Sequence, residues 1–120
     1  MYSDELIRQA QAARIPNFMG VYALDKLPTN IIPQQQQRYF NFVVNTDTYN
    51  LLGTHWIAVH VDRHKIYLFD PMGIYYPPLL CKYVIRFGKP IVYNWKQFQP
   101  ITEKTCGQYC LRWLSTISYK

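Results

Sequence analysis

Cys106 and Gly107 stand side by side where an apolar segment begins, in the run Thr105-Cys-Gly-Gln-Tyr-Cys-Leu-Arg-Trp-Leu. A thiol at the N-terminus of a helix feels the positive end of the macrodipole, which favours thiolate. The adjoining glycine lets another backbone approach closely and leaves its N–H to point at a ligand. This is the local chemistry of a nucleophilic cysteine beside an oxyanion hole, and it requires a base.

The segments Trp56–Val61 and Ile66–Asp70 read as two strands joined by Asp62-Arg63-His64-Lys65. That loop length sets Val61 opposite Ile66, Val59 opposite Leu68 and Ile57 opposite Asp70. Side chains alternate faces with period two, so His55 falls on the same face as Asp70, as its diagonal neighbour. Such neighbours lie about 7–8 Å apart at the backbone, within reach of long side chains. The rest of that face (Ile57, Val59, Val61, Ile66, Leu68) is apolar, whereas the opposite face carries Trp56, Ala58, His60, Tyr67 and Phe69. Taken alone, His55 reads as a core histidine and Asp70 as a turn starter before Pro71. The shared register lowers both readings together. It points to Asp70 fixing the imidazole tautomer and stabilising imidazolium, while His55 takes the thiol proton from Cys106.

Gln99 precedes Cys106 by seven residues. Its amide offers two uncharged N–H donors, and with the backbone amides of Cys106 and Gly107 it completes a candidate oxyanion hole. Gln97 lies only two residues away, so the spacing alone does not single Gln99 out.

The elements that must carry these groups follow from pattern. Ser3 as N-cap, with Asp4 and Glu5 in the first turn, predicts a helix to about Ala13, stopped by Ile15-Pro16-Asn17. Residues 17–37, with Gly20, Pro28 and Pro33, read as a connector, and the Gln34–Gln37 run as a surface loop. Arg38–Asn45 alternates as a strand, and Pro71, Gly73, Pro77 and Pro78 mark a loop. Leu79–Phe87 fits helix or strand equally, and Pro90–Tyr93 reads as a strand. Apolar residues at 110, 111, 113, 114 and 117 give Cys106–Ser118 a helical spacing. The expectation is one compact α+β domain over residues 1–120, its small, mostly antiparallel sheet packed against the helix that carries the nucleophile.

Composition narrows the classes. With 120 residues, 49% of them hydrophobic, the chain buries a real core without disulfides. Three cysteines make an odd count, too few for a secreted framework, and point to free thiols in a reducing compartment. No apolar run approaches the roughly 18 residues of a membrane span, and the acidic N-terminus lacks the pattern of a signal peptide. A soluble, intracellular monomer with no membrane partner is expected. The +6 net charge suits either simple solubility or a polyanion such as DNA. The basic residues are scattered, with no run longer than two.

The motifs Gly53-Thr-His-Trp-Ile-Ala-Val, Tyr67-Leu-Phe-Asp-Pro-Met-Gly, Gln99 and Cys106-Gly-Gln-Tyr-Cys resemble, in this order, the adenovirus maturation protease (adenain) family. That family shares a clan of cysteine proteases with the SUMO-specific proteases. Asn17-Phe-Met-Gly-Val-Tyr and Val43-Val-Asn-Thr resemble its segments after the first helix and before the histidine, so the likeness runs over nearly the whole chain. It implies catalytic roles for His55, Asp70, Gln99 and Cys106, an oxyanion hole at Gln99, Cys106 and Gly107, and Trp56 as the aromatic beside the substrate groove. It further implies cleavage of capsid or precursor polypeptides during virion maturation, in the host nucleus or the virion, with nonspecific DNA as a stimulant. Two departures stand out. The sequence ends fourteen residues after Cys106, where adenoviral enzymes continue, so part of the substrate or cofactor surface is expected to be missing. Cys81 sits too far upstream to match the cysteine that binds an activating peptide, so such activation is expected to be noncovalent. No cofactor is required for the chemistry.

The same residues suit three rivals less well. A deubiquitinase or SUMO-type isopeptidase shares the mechanism, but 120 residues leave little surface for docking a folded modifier. An inactive, protease-derived binding domain conflicts with four competent catalytic positions. A zinc site from Cys81, Cys106, Cys110 and a histidine lacks any Cys-x-x-Cys or His-x-x-x-His pair, and Cys110 reads better as a small buried hydrophobe. The glutamine assignment is directly testable. Gln99→Ala should lower the turnover number by about 3–4 kcal/mol of barrier and leave the Michaelis constant nearly unchanged, as for a contact made in the transition state. An equal loss from Gln97→Ala would transfer the role.

Overall fold

The computed structural model describes residues 3–28, 39–46, 55–71, 76–94 and 106–118. In chain order its elements are α1 (Ser3–Ala12), β1 (Phe18–Ala23), a 3-10 turn (Leu24–Lys26), β2 (Phe40–Asn45), β3 (Trp56–Val61), β4 (Ile66–Phe69), α2 (Pro78–Ile85), β5 (Ile91–Tyr93) and α3 (Cys106–Ser118). The five strands form one sheet in the spatial order β1-β2-β3-β4-β5. Its central pairings, β2 with β3 and β3 with β4, are antiparallel. The outer pairings, β1 with β2 and β4 with β5, are parallel, so the sheet is mixed.

Both faces of the sheet are covered, which is why every residue of β2 and β3 is buried. On one face Leu6 and Ala10 of α1 and Cys110, Leu111 and Leu114 of α3 pack against Val43, Trp56, Ala58 and Phe69. On the other, Leu80 and Val84 of α2 close over Phe40, Phe42, Val44, Ile57, Val59, Val61, Ile66 and Leu68. Each large aliphatic or aromatic side chain sealed in this way contributes about 1.5–3 kcal/mol. The expected α+β class stands, as does the packing of α3 on the sheet.

The β3–β4 rungs are those expected: Val61 faces Ile66, Val59 faces Leu68, and the ladder stops at Ala58 and Phe69. The loop that sets them is fixed by Asp62, whose carboxylate accepts the backbone N–H groups of His64 and Lys65, both at 2.8 Å. Burial opposes ionisation of that carboxyl, but these two hydrogen bonds and the nearby histidines hold it below its ordinary range.

Two expectations change. Residues 17–37 do not form a plain connector, because β1 and the 3-10 turn lie within them. Gly20 disguises the strand: at φ +137° it carries an irregularity between Phe18 and Val21 that breaks the alternation. The ambiguous segment after Pro77 is helical. Pro78 occupies its first turn, where a missing N–H costs nothing. Leu80 and Val84 share its buried face, and Gly88, at φ +69°, lies just beyond its C-cap. The Gln34–Gln37 run lies outside the described residues.

His60 shows what the second face of β3 demands. It is 4% exposed and surrounded by the rings of Tyr39, Tyr67 and Trp113 at 5.2, 6.0 and 6.5 Å. Burial lowers its pKa below the ordinary 6.5, while the charge of Asp62 pulls weakly the other way. The folded protein therefore holds fewer protons here than the unfolded chain as pH falls below that value, and stability declines with it. Denaturation at stepped pH should show full stability above about pH 6.5 and a loss below it. His60→Phe should flatten that part of the profile, and His60→Ala should cost about 1–3 kcal/mol at neutral pH. A wild-type profile identical to that of His60→Phe would mean that the imidazole titrates normally in the fold.

Candidate active site

His55 immediately precedes β3 and Asp70 immediately follows β4, so both stand beyond the last rung of the central hairpin. Two contacts from Thr46, at the end of β2, hold the main chain of His55. The Thr46 N–H donates to the His55 carbonyl at 3.0 Å, and the Thr46 hydroxyl approaches the same oxygen at 3.4 Å. From this fixed backbone the imidazole reaches Asp70, with Nε2 3.0 Å from Oδ1. The approach is a close ionic contact and not a well-aligned hydrogen bond. Catalytic hydrogen bonds are often loose without substrate.

Asp70 is completely buried and the His55 side chain is 15% exposed. A buried carboxylate is costly unless its charge is met, and the His55 imidazole is the side chain in contact with it. With Nε2 turned to Asp70, Nδ1 is the ring nitrogen on the far side. Asp70 is sealed from water, while the imidazole can still be reached from solvent. The pair expected from the hairpin register is thus present. Trp56, by contrast, is 1% exposed and packs with Leu6, Val43 and Cys110. This corrects the expectation of a groove-lining aromatic. Trp56 points to the α1–α3 face by strand alternation, which places it beneath the site and not on its surface.

The helix that opens at Cys106 is docked beside the same strand end. Cys110 is fully buried and its Sγ donates to the Trp56 carbonyl at 3.3 Å. Cys110 thereby ties the first turns of α3 to the residue that follows His55, besides acting as the small core residue expected. Position 106 lies four residues earlier, about 6 Å along the axis, and Gly107 is buried against the fold. The side chain of Cys106 and the whole of Gln99 lie outside the described residues, so neither adds a distance to this site. Among the described residues, His60 and His64 do not join it. His60 occupies its aromatic nest, and His64 lies exposed in the hairpin loop.

Two residues that the sequence reading passed over sit against Asp70. The Asn94 side chain accepts the Asp70 N–H at 2.7 Å and donates back to the Asp70 carbonyl at 2.7 Å. The Tyr76 hydroxyl donates to the Asn94 carbonyl, also at 2.7 Å, and its oxygen contacts Asn94 Oδ1 as well. Burial, helped by the Asp70 charge and opposed by the hydrogen bonds to the Asp70 and Asn94 backbones, pushes the Tyr76 phenol up to about 12. It therefore remains a protonated donor at neutral pH. The available signal was a lone asparagine closing the segment Ile91-Val-Tyr-Asn. It acquires meaning only once β5 is paired with β4 through Leu68 and Tyr93.

No protein-family model and no curated protein sequence matches the chain. Among solved structures, the crystal structure of the ASFV pS273R protease superposes with a TM-score of 0.65 at 16% sequence identity. That match covers 98% of this chain and 56% of the protease, so the chain spans about half its length. A selenomethionine crystal structure of the same protease aligns at a TM-score of 0.48 and 22% identity, over 67% of this chain and 34% of the other. No helix among the described residues is long and apolar enough to cross a membrane. The protease likeness expected from the sequence is matched by shape, and over the length they share this chain has the fold of the ASFV pS273R protease.

Proposed function

We propose that the protein is a cysteine endopeptidase acting on capsid or precursor polypeptides, with Cys106, His55 and Asp70 as its triad and Gln99 as an oxyanion donor. The observation that carries this reading is the 3.0 Å contact between His55 and the sealed Asp70. It lies at the sheet end where Cys110 docks the helix that begins at Cys106. The fold likeness to a protease supports it.

In this mechanism His55 takes the Cys106 proton, and the thiolate adds to the scissile carbonyl carbon. The resulting oxyanion is held by the Gln99 amide and the backbone N–H groups of Cys106 and Gly107. The His55 imidazolium then protonates the leaving amine as the carbon–nitrogen bond breaks, leaving a thioester. Water, deprotonated by His55, hydrolyses that thioester and restores the thiol. Asp70 remains ionised throughout and stabilises the imidazolium.

Mass spectrometry after reaction with a peptide vinyl sulfone ending in glycine reports nucleophile and substrate class together. Cys106 should be labelled far faster than Cys81 or Cys110, and His55→Ala should abolish the difference. Equal labelling of all three thiols would overturn the assignment. Faster labelling by a ubiquitin-like vinyl sulfone than by the peptide would instead identify an isopeptidase.

Nonspecific duplex DNA is proposed as a stimulant, on the strength of the +6 charge. Exposed Arg63, His64 and Lys65 at the hairpin tip suit contact with phosphates. Counterion release makes such binding fall steeply with salt, in proportion to the phosphates neutralised. Peptide cleavage should therefore rise with added DNA at low ionic strength, and the gain should fade near physiological salt. Absence of salt-sensitive DNA binding at low ionic strength would leave the charge a solubilising role only.

A further inference from the structure

We infer that Asn94, braced by Tyr76, is the positioning residue of the triad acid and acts on the chemistry only through Asp70. The inference rests on the proposed role of the His55–Asp70 pair.

Asp70 follows the last residue of β4, beyond the ladder that would hold it. The final backbone rung between β4 and β5 is the Asn94 N–H donating to the Leu68 carbonyl at 3.3 Å. Past that point neither strand continues, and the amide side chain of Asn94 takes over. It offers one acceptor and one donor, as a peptide unit would, and pairs with both main-chain groups of Asp70 at 2.7 Å. An aspartate side chain has only two rotatable bonds, so fixing its backbone largely fixes where its carboxylate can reach. The Oδ1–Nε2 approach of 3.0 Å to His55 depends on that placement.

Asn94 is fixed in turn. The Tyr76 hydroxyl donates to its carbonyl, and the Tyr76 ring packs edge-on against Tyr93, with centroids 4.7 Å apart. Titratable side chains around the acid come from each flank: His55 ahead of β3, Tyr76 ahead of α2, and Tyr93 of β5 behind Tyr76. Since Tyr76 stays protonated, the imidazole is the group among these whose charge answers to the placement of Asp70. Aspartate at position 94 would keep the acceptor, lose the donor and set a second negative charge beside the buried acid.

The test is a titration of the His55 imidazole by NMR in wild type, Asn94→Ala and Asp70→Asn, together with steady-state kinetics and melting. Asp70→Asn should lower the midpoint of the His55 titration by on the order of one unit or more, the size of effect one neighbouring opposite charge supplies. Asn94→Ala should lower it in the same direction by a smaller amount. It should also reduce kcat about ten- to a hundred-fold, as expected for small misplacement of a catalytic group, with KM nearly unchanged. Added to Asp70→Asn, it should shift the midpoint no further. Should Asn94→Ala fail to fold, Tyr76→Phe removes the hydroxyl that braces Asn94 and meets the Asp70 backbone, and should give a reduced shift of the same sign. An Asn94→Ala protein that melts lower but keeps both the wild-type midpoint and kcat would overturn the inference. So would a further shift on adding it to Asp70→Asn. The midpoint is read without turnover, so a shift in a protein that neither cleaves nor labels would sustain the positioning role and reject the peptidase.

Discussion

The register of the β3–β4 hairpin is the constraint on which the site depends. Strand side chains alternate, so a slip of one residue would send every group on β4 to the opposite face. Asp70 would then lie with the α1–α3 face, away from His55. Two features hold the register. Asp62 closes the loop by gathering two backbone N–H groups onto one carboxylate. The two faces also resist exchange, because Ile57, Val59, Ile66 and Leu68 pack under α2, whereas Trp56, Ala58 and Phe69 pack under α3. His60 adds to this, since its nest of rings exists on one side only.

A sheet covered on both faces leaves its ends as the places where polar chemistry can stand. Asp70 carries an ionisable carboxyl into complete burial, which the middle of either apolar face would not tolerate. At the strand end its main chain is paired by Asn94 and its charge faces His55. The outer parallel pairing matters for this reason. By running alongside β4, β5 delivers Asn94 to the same end of the sheet at which Asp70 emerges. An antiparallel β5 would carry that residue to the hairpin tip instead.

What the sequence revealed and what it hid divide along the range of the interactions. The central hairpin was legible because one loop and a period of two determine it, α1 because its capping and stop residues are local, and α3 because its apolar spacing is. Strand β1 was hidden by Gly20, whose positive φ accommodates a bulge but reads as a break. The helix over Pro78–Ile85 was ambiguous because Leu79 and Ile85 are apolar yet exposed, which blurs the buried face formed by Leu80 and Val84. Trp56 was assigned to a groove by the family resemblance, although alternation alone sends it to the face opposite that of His55. Asn94 was out of reach because a parallel pairing across a helical crossover leaves no short-range mark.

The placement of α3 obeys the same alternation. Helix α3 covers the face bearing Trp56, while alternation assigns His55 and Asp70 to the other, so the helix cannot bring Cys106 to them across the sheet. The approach proposed for Cys106 therefore runs around the sheet's end, and its precision depends on how the helix is anchored. The anchor is Cys110, whose thiol binds the carbonyl of Trp56, the residue next to His55. The proposed base is tied to β2 through its own carbonyl and Thr46. Base and helix are therefore referenced to adjacent peptides of one chain segment, so a tilt of the sheet would move both together. In the proposed mechanism the separation of Cys106 from His55 then varies with one turn of α3 and the two side chains. That is a short path for a chain of this size, and it gives the small thiol at position 110 a reason to be cysteine that packing alone does not supply.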